Sequence, residues 1–157
     1  MELIADVFGQ FGKKWALVTA GTRENFNTMT ISWGGLGTLW GEPVATVYVR
    51  LSRYTHQFME NNDYFTVSFY PEEYRKTLAV LGSRSGRDMD KMGASGLTPR
   101  EAGPSMTFAE AEVTLVCKKL YRSRLELSDL PEDVVRDHYA DNVPHDMYIG
   151  QVVDIIR

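Results

Sequence analysis

Asn27–Gly37 reads N-T-M-T-I-S-W-G-G-L-G. Met29 and Ile31 alternate with Thr28, Thr30 and Ser32, which predicts a strand with one apolar and one hydroxylated face. The strand then runs into Trp33 and a glycine-rich turn. Small hydroxyls followed by backbone without side chains let a flat polar ligand come close to main-chain N–H and C=O groups. An ordinary strand with a glycine-rich turn reads the same way, so the flanking sequence has to choose between them.

Outward from this stretch, the pattern is of strands. Residues 2–12 form a short mixed lead-in, expected to pack on the rest of the domain or on a partner subunit. W-A-L-V-T-A at 15–20 has little polarity to expose and predicts a central strand, followed by a turn at 21–25. Residues 38–43 read as a loop closing on Pro43, and V-A-T-V-Y-V-R at 44–50 is a β-branched strand. Thr55 can N-cap a short helix through Phe58 and Met59 that ends at residues 61–63. A strand at 64–70 precedes a helix opened by Pro71-Glu72-Glu73, striped by Tyr74, Leu78 and Leu81, and stopped by Gly82. Ser85 and Asp88 fit a capping box, which predicts a helix from Gly86 to about Gly93.

Residues 97–99 and the Gly103-Pro104 pair read as turn-rich connection. A long strand is expected over 109–120, with Leu115 and Cys117 on one face and Glu112, Thr114 and Val116 on the other. Pro131 opens a last short helix, and residues 147–156 form the final strand. The total is roughly six or seven strands with short helices, no repeat and no linker. That predicts one mainly β domain, a closed or nearly closed antiparallel, Greek-key-like barrel with short helical insertions.

Composition bounds the function. The chain has 157 residues, 43% apolar, enough for a sizeable core in one folded domain. Its net charge of −4 argues against a nucleic-acid partner. Cys117 cannot form an internal disulfide and reads as a buried strand cysteine, not a nucleophile. The N-terminus lacks a basic, apolar leader and no apolar run is of membrane-spanning length, so a soluble cytoplasmic protein without a membrane partner is expected.

Two further polar clusters accompany the opening stretch. Ser83–Lys91 reads S-R-S-G-R-D-M-D-K, hydroxyls and cations before a predicted helix start. It suits a phosphate, although Asp88 and Asp90 could equally neutralise the cations on a solvated face. Arg50, Ser52, Arg53, Tyr54 and Thr55 form the other cluster, for which the alternative is an exposed, polar strand end. Trp33 or Trp40 could wall a flat ligand, or belong to core or interface. H-E-x-x-H, C-x-x-C, G-x-S-x-G and G-x-x-x-x-G-K are absent, and His56, His138 and His145 lack metal-ligand spacing, so no metal site is expected. A phosphate-and-aromatic pocket without an acid–base or nucleophile set points to a cofactor carrier.

These residues together resemble the FMN-binding split-barrel proteins of the flavin reductase-like family, in particular its flavoredoxin-like branch. The resemblance runs through W-A-L-V-T-A (15–20), N-T-M-T-I-S-W-G-G-L-G (27–37), P-V-A-T-V-Y-V-R (43–50) and R-Y-T (53–55). It continues through F-T-V-S-F (65–69), S-R-S-G-R-D-M-D-K (83–91), G-L-T-P (96–99) and H-D-M-Y-I-G (145–150). It implies a split β-barrel and a homodimer with FMN at the subunit interface. It assigns the isoalloxazine ring to Thr28, Met29, Thr30, Ile31 and Ser32, with Trp33 beside it. It assigns the phosphate to Arg50, Ser52, Tyr54, Thr55, Ser83, Gly86, Arg87 and Lys91.

In reductases of the wider family, a histidine five residues before the last-strand glycine lies near the flavin face. His145 and Gly150 match that spacing. Val143-Pro144 stand where Gly-Asp is common in that wider family, so a catalytic and a structural His145 both stay open. The implied function is an FMN-dependent oxidoreductase taking electrons from NADH or NADPH. The alternatives are a flavoredoxin-like carrier reduced by a redox protein partner, and a flavin-binding protein without turnover.

Overall fold

The computed structural model describes residues 1–83, 93 and 95–157. Their strands are β1 (Ala16–Thr22), β2 (Asn25–Ile31), β3 (Gly34–Leu39), β4 (Glu42–Arg50), β5 (Tyr64–Phe69), β6 (Pro99–Ala102), β7 (Ser105–Phe108), β8 (Val113–Arg124) and β9 (His145–Ile156). The helices are short: α1 (Val7–Gly9), α2 (Thr55–Asn61), α3 (Arg75–Ser83) and α4 (Glu132–His138). The main sheet has the order β2-β1-β5-β8-β9-β4-β3, and β6 pairs with β7 in a separate hairpin. Each pairing is antiparallel.

β2 and β3 lie at opposite edges of this sheet, yet only Ser32 and Trp33 separate them in the chain. Three Cα steps of 3.8 Å span at most about 11 Å. The sheet therefore curls until its edges approach, giving a barrel split along one seam. Val18, Ile31, Val47, Phe65, Leu115 and Tyr148 fill the interior. A second cluster of Leu17, Leu78, Leu81, Leu97 and Phe108 packs α3 and the hairpin against the outside of β1. Both faces of β1 are thus covered, although it sits one strand in from the edge. Along β9, Asp146, Tyr148, Gly150 and Val152 are the buried alternate residues. Cys117 is fully buried, and burial raises its thiol pKa, as expected of a core cysteine.

Several local expectations are corrected. The glycines after Trp33 are not a turn: Gly34 to Leu39 pair with β4, and the tight turn is Trp40-Gly41. Position 34 has room only for glycine, because a Cβ would lie 2.7 Å from the Phe11 ring. Residues 97–104 are more than connection, since β6 and β7 form around Gly103, whose φ of 56° suits glycine. The strand expected over 109–120 runs from Val113 to Arg124. Thr55 does not cap α2: it is the first helical residue, and its hydroxyl accepts from Asn27 Nδ2 at 2.7 Å.

Gly82 does not end α3, which runs to Ser83. A Cβ on Gly82 would lie 3.2 Å from Thr30 Cβ, so the missing side chain lets helix and strand meet. The helix expected from Gly86 lies outside the described residues. Trp15 enters β1 with φ 66° and ψ 171°, a conformation otherwise left to glycine. The Arg75 guanidinium lies 4.3 Å from its ring centroid. Among the described residues, no helix is long and apolar enough to cross a membrane.

Candidate functional site

The seam of the barrel exposes main chain. β2 is tied to β1 from Ala16↔Ile31 to Thr22↔Asn25, and no other strand among the described residues pairs with its outer edge. Alternate residues of such an edge turn N–H and C=O groups outward. Beside it opens a cleft of about 230 Å³ lined by Met29–Trp33, Tyr48, Arg50, Arg53 and His145. The β4–β9 register sets Arg50 opposite His145 and Tyr48 opposite Met147, which puts these residues on the outer face of the barrel. Thr30 and Ser32 also line an adjoining cleft of about 290 Å³ with Trp15, Leu78, Gly82 and Ser83.

The hydroxyl row of β2 is used within the fold. The Thr28 hydroxyl donates to Val18 O at 3.0 Å and lies 2.9 Å from Thr19 Oγ1, while Thr30 donates to Leu78 O. What the strand turns toward the cleft is therefore backbone and Ser32. Trp33 is 44% exposed, and its ring lies 5.3 Å from that of His138 and 5.2 Å from that of His145.

The two arginines of the cleft differ. Arg50 Nη1 donates to Asp141 Oδ1 at 3.2 Å and Val143 O at 3.1 Å, and Nη2 donates to His138 O at 2.8 Å. Its guanidinium also lies 5.2 Å from the Tyr139 ring centroid. Arg53 Nη1 donates to Gly82 O at 3.2 Å, whereas its Nη2 is buried with no hydrogen-bond partner among the described residues. Burial lowers the Arg53 pKa.

His145 is buried, with Nδ1 2.9 Å from the Tyr139 hydroxyl. That phenol has no other acceptor among the described residues, so by hydrogen-bond assignment it donates to Nδ1 and the ring proton sits on Nε2. Burial first, and then the positive charge of Arg50, lower the His145 pKa from 6.5 to about 4. Across that window the unfolded chain takes up a proton that folded His145 refuses. Acidification should therefore cost stability, by at most about 1.4 kcal/mol per pH unit from this group. Urea melts between these pH values should show the slope, and His145→Gln should flatten it. An unchanged slope in the variant would remove His145 from the titration.

The other expected site residues are dispersed. Thr55 is buried under Asn27, Tyr54 packs on Phe58 with ring centroids 5.2 Å apart, and Ser52 is exposed outside both cleft linings. Ser83 is exposed and donates to Val80 O at 3.1 Å. Gly86, Arg87 and Lys91 lie outside the described residues. Tyr48 and Tyr139 were not read from the sequence, and Arg53 was noted there only as part of a polar cluster. The alternation V-Y-V-R, which puts Tyr48 on the face of Arg50, was the available signal for Tyr48.

At one end of the barrel, ligand atoms of His56, Glu60 and Asp146 lie within 4.8 Å of one another. Arg122 and Arg124 already bind these carboxylates, so the cluster reads as an ion-pair network.

The sequence matches the flavin reductase like domain over residues 8–157. The chain belongs to the flavin reductase-like family. No curated protein matches this family member by sequence. Solved structures of similar fold include flavoredoxin from Methanosarcina acetivorans, at 20% identity and TM-score 0.71, over 99% of this chain and 74% of that one. Flavoredoxin of Desulfovibrio vulgaris (Miyazaki F) is similar at 23% identity and TM-score 0.69, over 90% and 68%. An FMN-binding protein from Thermus thermophilus with bound 1-cyclohex-2-enone is similar at 20% identity and TM-score 0.70, over 100% and 79%. The flavin reductase-like family and these folds agree on a split barrel.

Proposed function

We propose that the chain binds FMN along the outer edge of β2 and works as an oxidoreductase, with NADH or NADPH as electron donor. The carrying observation is a conjunction at one cleft: a strand edge and a buried guanidinium nitrogen that have no partner among the described residues, beside an exposed indole. Outward N–H and C=O groups near Thr30, Ile31 and Ser32 fit the alternating donors and acceptors on the polar edge of an isoalloxazine. Trp33 offers a flat apolar wall, and Arg53 offers a cation to a phosphate. Bound FMN would supply hydride acceptance and release of electrons. His145 is neutral at pH 7, so it offers an N–H at Nε2 without adding charge to the cleft. Membership of the family and the named flavoredoxin folds support the reading.

A homodimer with the cleft at its interface goes with this proposal. Phe8 and Trp40 are 92% and 72% exposed, apolar area that a second copy would cover. A cytoplasmic setting and the absence of nucleic-acid and membrane partners complete the reading, on charge and composition.

The test is spectroscopic. Purified protein mixed with FMN and gel-filtered should retain a flavin spectrum at one per chain, and anaerobic NADH or NADPH should bleach it. Retained flavin that only a low-potential redox protein reduces would select the flavoredoxin-like carrier. Retained flavin that nothing reduces would select binding without turnover. No flavin binding at any concentration would overturn the proposal.

A further inference from the structure

We infer that Arg53, and not Arg50, is the cation that receives the ligand's phosphate, and that Arg50 is a positioning residue for the segment leading into His145. The inference rests on the FMN reading and deepens it by dividing two roles between two arginines of one cleft.

A guanidinium has five N–H donors in a fixed fork and binds a phosphate only with donors still free. Arg50 has committed three of its five donors, and its charge is already paired. Nη1 is shared between Asp141 and Val143 O, and Nη2 holds His138 O. Asp141 neutralises it at 3.2 Å, and the Tyr139 ring lies against the guanidinium. All of these partners lie within residues 138–143, just before His145. Tyr139 in turn holds His145 Nδ1. Arg50 thus clamps the chain that orients the imidazole, and a phosphate there would compete with Asp141 for a charge already paired.

Arg53 is in the opposite state. Among the described residues its side chain makes one hydrogen bond, Nη1 to Gly82 O, and pairs with no carboxylate. Nη2 is buried without a partner among the described residues, and Arg53 lines the cleft. A buried donor left without an acceptor is destabilising, and more so when it is charged. A phosphate oxygen would remove that cost by supplying both an acceptor and a countercharge. The bond to Gly82 also holds the Arg53 fork beside the end of α3, where Ser83, Thr30 and Ser32 line the adjoining cleft. An anion on Nη2 would sit between the turn after β4 and the end of α3, next to the β2 edge.

The experiment is equilibrium titration of FMN and riboflavin, followed by flavin fluorescence, against wild type, Arg53→Met, Arg53→Lys and Arg50→Met. Methionine keeps an apolar stem and removes the fork. Arg53→Met should weaken FMN roughly tenfold to a hundredfold and leave riboflavin unmoved, with Arg53→Lys between it and wild type. Arg50→Met should shift both flavins by the same factor. It should also raise the pKa of His145, read by NMR titration, because the charge of Arg50 helps to lower it. Selective loss of FMN in Arg50→Met would overturn the assignment, and so would equal loss of both flavins, or of neither, in Arg53→Met.

If wild type bound neither flavin, the FMN reading would fail, and inorganic phosphate would then test Arg53 alone. Thermal stabilisation by phosphate that Arg53→Lys keeps in part and Arg53→Met abolishes would uphold the anion role. Stabilisation unaffected by either variant would end it.

Discussion

Asp146→Ala should cost the fold about 3 kcal/mol and lower the melting temperature by roughly 6–12 °C. The Asp146 side chain is fully buried on the inner face of β9, where it closes one end of the barrel. Arg124 Nε donates to Oδ1 at 3.0 Å, His56 Nε2 lies 2.7 Å from Oδ2, and Arg122 Nη1 reaches Oδ2 at 3.5 Å. Removing one partner from a buried ion pair typically costs about 3–5 kcal/mol, because the other charge is left uncompensated. Here the low end applies: the Arg122 and Arg124 side chains are 45% and 53% exposed and can turn to water.

Burial opposes ionisation of Asp146, but hydrogen bonds from Arg124 and His56 outweigh it and hold the carboxyl below the usual carboxylate range. A lowered folded pKa stabilises above the unfolded value, and that contribution is lost as pH falls through the folded one. The penalty of Asp146→Ala should therefore shrink in acid. Thermal melts of wild type and variant at neutral and acidic pH would show this. A neutral-pH difference under about 1 kcal/mol would mean that the network contributes nothing net.

What the sequence made legible follows from what each signal encodes. V-A-T-V-Y-V-R announced β4 because β-branched residues suit a pleated, half-buried surface. The same propensity hid β3: G-G-L-G is poor in strand formers, yet it pairs with β4, and a Cβ on Gly34 would meet the Phe11 ring. β6 and β7, four residues each, are too short to show alternation, so only the turn residues between them stood out. In β2, alternation correctly separated Met29 and Ile31 from the threonines. It could not say that Leu78 O and Val18 O would take up the hydroxyls.

The arginines show the same limit. Arg50 and Arg53 look alike in sequence, and the residues that occupy Arg50 lie 88 to 93 positions further on. The pair His56 and Asp146 is separated by 90 positions. Long-range ion pairs leave no local periodicity, so which cation is free is decided by tertiary structure.

Gly150→Ala should destabilise the protein by about 2–3 kcal/mol, although it adds only one methyl group. A Cβ at Gly150 would lie 2.7 Å from Phe65 Cε1 and Cζ and 2.8 Å from Cys117 Cβ, in a core where Phe65 and Cys117 are fully buried. The Phe65 ring cannot swing into solvent, so it must displace its neighbours. Gly150 also pairs with Ala45 on β4 and Lys119 on β8, which holds its backbone from both sides. The separation of five residues from His145 then has a packing reason. An odd interval along a strand puts the two on opposite faces, the imidazole toward the cleft and the bare Cα against Phe65.

If Phe65 is the obstacle, a smaller residue there should relieve the strain. Phe65→Leu alone should cost roughly 1–2 kcal/mol through lost packing. The double variant should be more stable than the sum of the two losses predicts, by about 1 kcal/mol or more. Urea unfolding of the two single variants and the double variant closes the cycle. Strict additivity would mean that the added methyl is resisted elsewhere, most directly at Cys117, and Cys117→Ala would then be the variant that relieves it.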